Sequence, residues 1–130
     1  MKKIYLFSCL IFSFAFTFYS KAQNEDKKIL FQRFIELYST GDLVNAEGTL
    51  LLFLESKVPL TEEQLIAAYN NLGATNTQLG NYIKAQEYYS NAEAVISDRH
   101  QNLLNLAAIF INKAIIYGNQ KSYPSSIEYF

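Results

Sequence analysis

The side chains able to do chemistry are few, and each has a structural reading to set beside the chemical one. His100 is the sole histidine, following Asp98 and Arg99, and Cys9 is the sole cysteine. A nucleophilic or metal site built on imidazole or thiolate needs further groups converging on it. No local motif supplies them, so Asp98-Arg99-His100 reads as a helix junction. Glu62 and Glu63 could serve as paired acid and base, but neighbouring residues on a helix point in different directions. Acids in a first turn are accounted for by the positive end of the helix dipole. Tyr88, Tyr89 and Tyr117 could stack against bases or sugars, yet their helical spacing favours packing. The glycines Gly41, Gly48, Gly73, Gly80 and Gly118 form no phosphate-cradling loop. The expectation is a protein that is not an enzyme, with no catalytic residues, no cofactor and no metal.

The elements that position these residues begin after a leader. Met1-Lys2-Lys3 is a short positive start, Ile4 to Tyr19 is a nearly unbroken apolar run, and Ser20-Lys21-Ala22 resembles a cleavage site. Residues 1–22 therefore read as a signal peptide, and the 16-residue run is short of the roughly 18 to 20 apolar residues a spanning helix needs. Export to the periplasm or cell envelope follows, with membrane attachment only if the segment is retained. Loss of Lys2, Lys3 and Lys21 leaves eight of the 11 basic residues against 12 acidic ones, a net charge near −4. Such a balance lacks the clustered Lys and Arg that phosphates demand, so nucleic acid is not an expected partner. Cys9 leaves with the leader, and the domain of residues 23–130 must hold together by packing alone.

Its apolar residues recur with helical rather than strand periodicity. Asn24 to Ser39 places Ile29, Leu30, Phe34, Leu37 and Tyr38 on one helix, which Gly41 ends. Asp42 caps a second helix running through Lys57, before Val58-Pro59. Thr61-Glu62-Glu63-Gln64 has the form of a capping box opening a third helix, with Leu65, Tyr69, Leu72 and Leu79 on one stripe. A fourth helix spans about Tyr82 to Ser97, and a fifth Asp98 to Gln120. A sixth begins near Pro124 behind Ser122.

The turns repeat. Gly41-Asp42-Leu43, Gly80-Asn81-Tyr82 and Lys121-Ser122-Tyr123 lie 39 and 41 residues apart. Four residues after each capping position comes a small residue (Ala46, Ala85, Ser126), and four further on a large one (Leu50, Tyr89, Phe130). In this the chain resembles the tetratricopeptide repeat family, whose helix-turn-helix unit of about 34 residues carries W-x2-L-G-x2-Y … A-x3-F … P. Tyr69 stands at the Trp place, Leu72-Gly73 at Leu-Gly, Ala85 and Tyr89 at Ala-x3-Phe, and Ala92 at the next small place. Asn76 replaces the usual Tyr and Ser97 the closing Pro. Units of about 27–58, 66–97 and 107–130 result, with Phe34 and Ala114 in the Gly73 place. The resemblance implies an all-α fold of antiparallel helical hairpins, stacked as a right-handed solenoid of about two and a half repeats.

In this family the first helices of the hairpins line a groove that holds a peptide or partner helix. Carried onto this sequence, the groove-facing places are Phe31, Ile35 and Tyr38; Asn70, Asn71, Ala74, Thr77 and Gln78; and Ile111, Asn112 and Ile115. Family members that clamp a terminal carboxylate use basic residues where this chain has Phe31, Ala108 and Asn112, so that mode is not expected. The resemblance implies a scaffold or adaptor for protein or peptide partners. The alternative is the amino-terminal sensory region of a larger sensor histidine kinase or transcriptional regulator. Ile127-Glu128-Tyr129-Phe130 aligns with Gln86-Glu87-Tyr88-Tyr89, after which the second unit continues, so a longer chain or self-association through that last helix is expected.

Overall fold

Two glycines decide where the chain reverses. Gly41 and Gly80 adopt φ of +81° and +79°, a region that residues bearing a Cβ avoid. Behind them the Asp42 N–H reaches the Leu37 carbonyl at 2.9 Å and the Asn81 N–H reaches that of Asn76 at 2.8 Å. The same closed turn thus ends both helices. Asp42 also starts the next helix, its carboxylate accepting from the backbone and side-chain amides of Asn45. Asn81 makes no capping bond and instead donates to Asn76 Oδ1 at 3.3 Å.

A computed structural model of the chain describes residues 25–121. The expected leader and the expected sixth helix lie outside the described residues. Among those residues the fold is all-α, without strands. Helix α1 covers 25–39, α2 Leu43–Leu54, α3 Glu62–Gln78, α4 Tyr82–Ala94 and α5 Leu103–Lys121. None of the described helices is long and apolar enough to cross a membrane. The capping box forms as the sequence expects: Gln64 N–H donates to Thr61 Oγ1 at 3.3 Å, and Thr61 N–H to Gln64 Oε1 at 3.0 Å.

Three helix ends differ from expectation, each for a local reason. Helix α2 stops at Leu54 because the Ser56 hydroxyl takes the Val58 N–H in a turn ahead of Pro59. Helix α4 stops at Ala94, and Ser97 is drawn off to Glu62. Helix α5 begins at Leu103 rather than Asp98, whose carboxylate instead holds the N–H groups of His100 and Gln101 in a separate turn.

Packing proceeds hairpin by hairpin. Phe34, Ala46, Leu50 and Leu72 form one buried cluster from α1, α2 and α3. Ala85, Tyr89, Ala92, Ile109 and Ile116 form a second from α4 and α5. Half-buried Tyr69 packs against both, so one ring joins the two cores. The repeated small and large positions are buried in both hairpins: Ala46, Leu50 and Ala85 at 0 % exposure and Tyr89 at 1 %.

The two hairpins are wedged in opposite senses. In the second, a Cβ built on Gly73 would lie 2.5 to 2.7 Å from ring carbons of Tyr89, so α4 sends its ring into a gap that only glycine leaves. In the first, α1 supplies the ring, Phe34, which packs with Ala46 and Leu50 of α2. Beyond the apolar clusters, Glu62 straps the hairpin to the segment after α4. Its carboxylate accepts from the Ser97 N–H at 3.2 Å, the Ser97 hydroxyl at 2.5 Å and the Asn102 amide at 3.2 Å.

Gly73→Ala is expected to lower stability by roughly 1 to 3 kcal/mol through overpacking against the ring. In a Tyr89→Leu background the same change should cost much less, because its target is gone. Denaturant melts of the four proteins test this, and equal cost of Gly73→Ala in both backgrounds would mean the contact is not the cause.

Candidate functional site

The residues expected to face a binding groove lie in three rows, and the structure links each row to the next. Gln78 Nε2 on α3 hydrogen-bonds to the Tyr38 hydroxyl on α1. Asn112 Nδ2 on α5 donates to Asn70 Oδ1 on α3 at 3.1 Å. Both bonds join one expected groove residue to another, across chain separations of 40 and 42 residues.

The rows differ in what they present. On α1, Ile35 is 45 % exposed, while the Phe31 ring turns toward Phe34 and Phe53, with centroids 5.7 Å away in each case. On α5, Ile111 and Ile115 are exposed. Between them α3 is polar, with half-buried Asn71 and Ala74 and exposed Gln78. Asn71 Nδ2 donates to the Ala67 carbonyl at 2.9 Å. Among the described residues nothing donates to Asn71 Oδ1, and an amide carries both kinds of capacity. Thr77 belongs to the hairpin interior: its hydroxyl donates to the Gly73 carbonyl at 2.8 Å and lies 3.5 Å from that of Tyr89. The face therefore combines apolar flanks with amide-bearing residues between them.

Sequence reasoning missed a second concavity. A cleft of about 420 Å³ opens between α1 and α3, lined by Lys27, Lys28, Phe31 and Gln32 on one side and Glu63, Gln64 and Ala67 on the other, with Phe53 of α2. Of these only Phe31 was expected at a site. The available signal was spacing, since Lys27 lies four residues before Phe31 and so on its face of the helix.

The remaining polar cluster is built for holding. Glu47 on α2 receives hydrogen bonds from Lys84 on α4 and, at 3.0 Å, from the fully buried Asn76 of α3. Burial pushes the Glu47 carboxyl up, but the Lys84 and Asn76 hydrogen bonds and the Lys84 charge outweigh it and leave the group below its usual value. The bond to Glu47 pushes the Lys84 ammonium up. A weakened base beside a strengthened cation is the reverse of what proton transfer near neutrality needs. Glu93, bonded to Lys113 at 3.0 Å and reached by Arg99 at 3.4 Å, is likewise lowered, first by the Lys113 hydrogen bond. Among the described residues no three metal-ligating side chains converge. Of the tyrosines weighed as a stacking platform, Tyr89 is core and Tyr88 is half-buried near the Lys84 ammonium, whereas Tyr117 lies exposed on the outer side of α5.

Comparison with known proteins returns no match: no family model, curated protein or solved structure aligns with this chain.

Stability should fall at both ends of the pH scale. Glu47 and Glu93 titrate below the unfolded value of 4.5, so their contribution is complete above it and is lost as pH falls through their lower folded values. Burial raises the Tyr89 hydroxyl above 10.0, and the bond to Glu47 raises Lys84 above 10.5. Those contributions are complete below these values and are lost as pH climbs through the raised ones. Thermal melts from pH 2 to 12 measure the profile, and Glu47→Gln should flatten its acid limb.

Proposed function

We propose that this chain is a tetratricopeptide-like helical-repeat protein, exported to the bacterial periplasm or envelope, that binds a protein or peptide as a scaffold or adaptor and catalyses no reaction. The observation that carries this reading is the pair of side-chain bonds, Tyr38 to Gln78 and Asn70 to Asn112, which draw the expected groove residues of three helices together. Exposed Ile35, Ile111 and Ile115 offer apolar contacts to alternate side chains of an extended peptide, while Asn71 and Gln78 can meet its backbone.

A photo-crosslinking residue placed in cells at Ile115 should yield a discrete adduct. The same residue at Val44 or Ile83, exposed apolar positions on α2 and α4, should not. Adducts of equal yield at all three positions, or none at Ile115, would remove the groove from consideration.

A second reading rests on α5. Leu103, Ala107, Phe110, Ala114 and Tyr117 form an exposed stripe displaced by 41 residues from the Glu62, Ile66, Tyr69, Gly73 and Asn76 row that runs along the α3–α4 hairpin. In that register the expected sixth helix takes the place that α4 has against α3, with its continuation supplied by a longer signalling protein or its pairing by a second copy. An immunoblot of the endogenous protein separates the cases. A band far above 14.9 kDa supports the larger sensor or regulator. A band at or just below that mass, with concentration-dependent sedimentation, supports self-association, whereas a small monomer overturns both.

A further inference from the structure

The cleft between α1 and α3 is lined by a lysine that the described residues leave short of acceptors. Lys27 is 5 % exposed, yet among the described residues its ammonium makes a single hydrogen bond, to the Pro59 carbonyl at 3.3 Å. An ammonium has three N–H donors. Among the described residues no carboxylate pairs with Lys27; the ion pairs join Arg33 to Glu36, Lys84 to Glu47, and Arg99 and Lys113 to Glu93. A buried charge without a counter-charge is costly unless something completes its shell. Lys28, exposed on the same wall, adds a second positive charge. Glu63, the acid across the cleft, forms an ion pair with neither Lys27 nor Lys28 among the described residues. Phe31, Phe53 and Ala67 supply the apolar lining. A volume of about 420 Å³ lies in the range of small-molecule sites.

We propose that this cleft binds an amphipathic monocarboxylate, an aliphatic or aromatic acid whose carboxylate completes the shell of Lys27 beside Lys28 and whose apolar body lies on Phe31, Phe53 and Ala67. The carboxylate supplies two oxygens for the two N–H groups that the described residues leave to Lys27. The inference is independent of the partner-binding reading and shares only Phe31 with it.

Calorimetric titration of the full-length chain with decanoate should show saturable binding of one molecule per chain. Decanol and decyltrimethylammonium, which keep the apolar body but not the negative charge, should bind at least about tenfold more weakly. Lys27→Met keeps the length of the side chain and removes the charge, and should cost decanoate a similar factor while circular dichroism stays helical. Should Lys27→Met fail to fold, Ala67→Leu carries the test, because it fills the cleft from α3 and should abolish decanoate binding. Equal affinity for decanoate and decanol overturns the proposal, as does undiminished decanoate binding in the folded Lys27→Met or Ala67→Leu protein.

Discussion

The missing side chain at Gly73 is the constraint on which the second hairpin depends. With ring carbons of Tyr89 lying where a Cβ would stand, the approach of α4 to α3 is fixed from inside the interface. That closeness leaves little room at neighbouring positions. Ala85 and Ala92, on the same helix as Tyr89, are small and fully buried, and Asn76, one turn along α3 from Gly73, is sealed from solvent. A sealed amide must be satisfied. Asn76 donates to the Leu72 carbonyl and to Glu47 and accepts from Asn81, so the contact between two helices brings a third into register.

The polar ties share a pattern: they run between hairpins more than within them. Glu47 connects α2 to α3 and α4, Glu62 connects α3 to the segment before α5, and Glu93 connects α4 to α5. Each carboxylate meets more than one donor, a geometry that limits how far neighbouring hairpins can slide. Their energetic weight is modest, because several partners are half exposed and solvent screens them. Apolar burial holds the clusters together, while these bonds set the register at their edges.

Local chemistry was readable from residue types. Positive φ at Gly41 and Gly80, the box between Thr61 and Gln64, and the burial of Ala46, Leu50, Ala85 and Tyr89 all follow from short-range offsets. Helix ends were harder, because Ser56, Ser97 and Asp98 each have a side chain that can compete with the helix for backbone or tertiary bonds. The candidate face was legible only as three separate rows. That Tyr38 meets Gln78 and Asn70 meets Asn112 depends on how the hairpins stack, which no spacing within one helix encodes. Lys27 shows the limit most clearly: a lysine ordinarily stays in solvent, and its burial beneath Pro59 is decided by packing 32 residues away.

The strap from Glu62 has a consequence for how the molecule comes into being. Its acceptor sits at the head of α3, and its donors, Ser97 and Asn102, follow 35 and 40 residues later. A growing chain emerges amino-terminus first. The anchor is therefore synthesised well before the residues it will hold, and it can offer a prepared edge to the next hairpin as that hairpin emerges. The order of synthesis then matches the order in which the hairpins can dock.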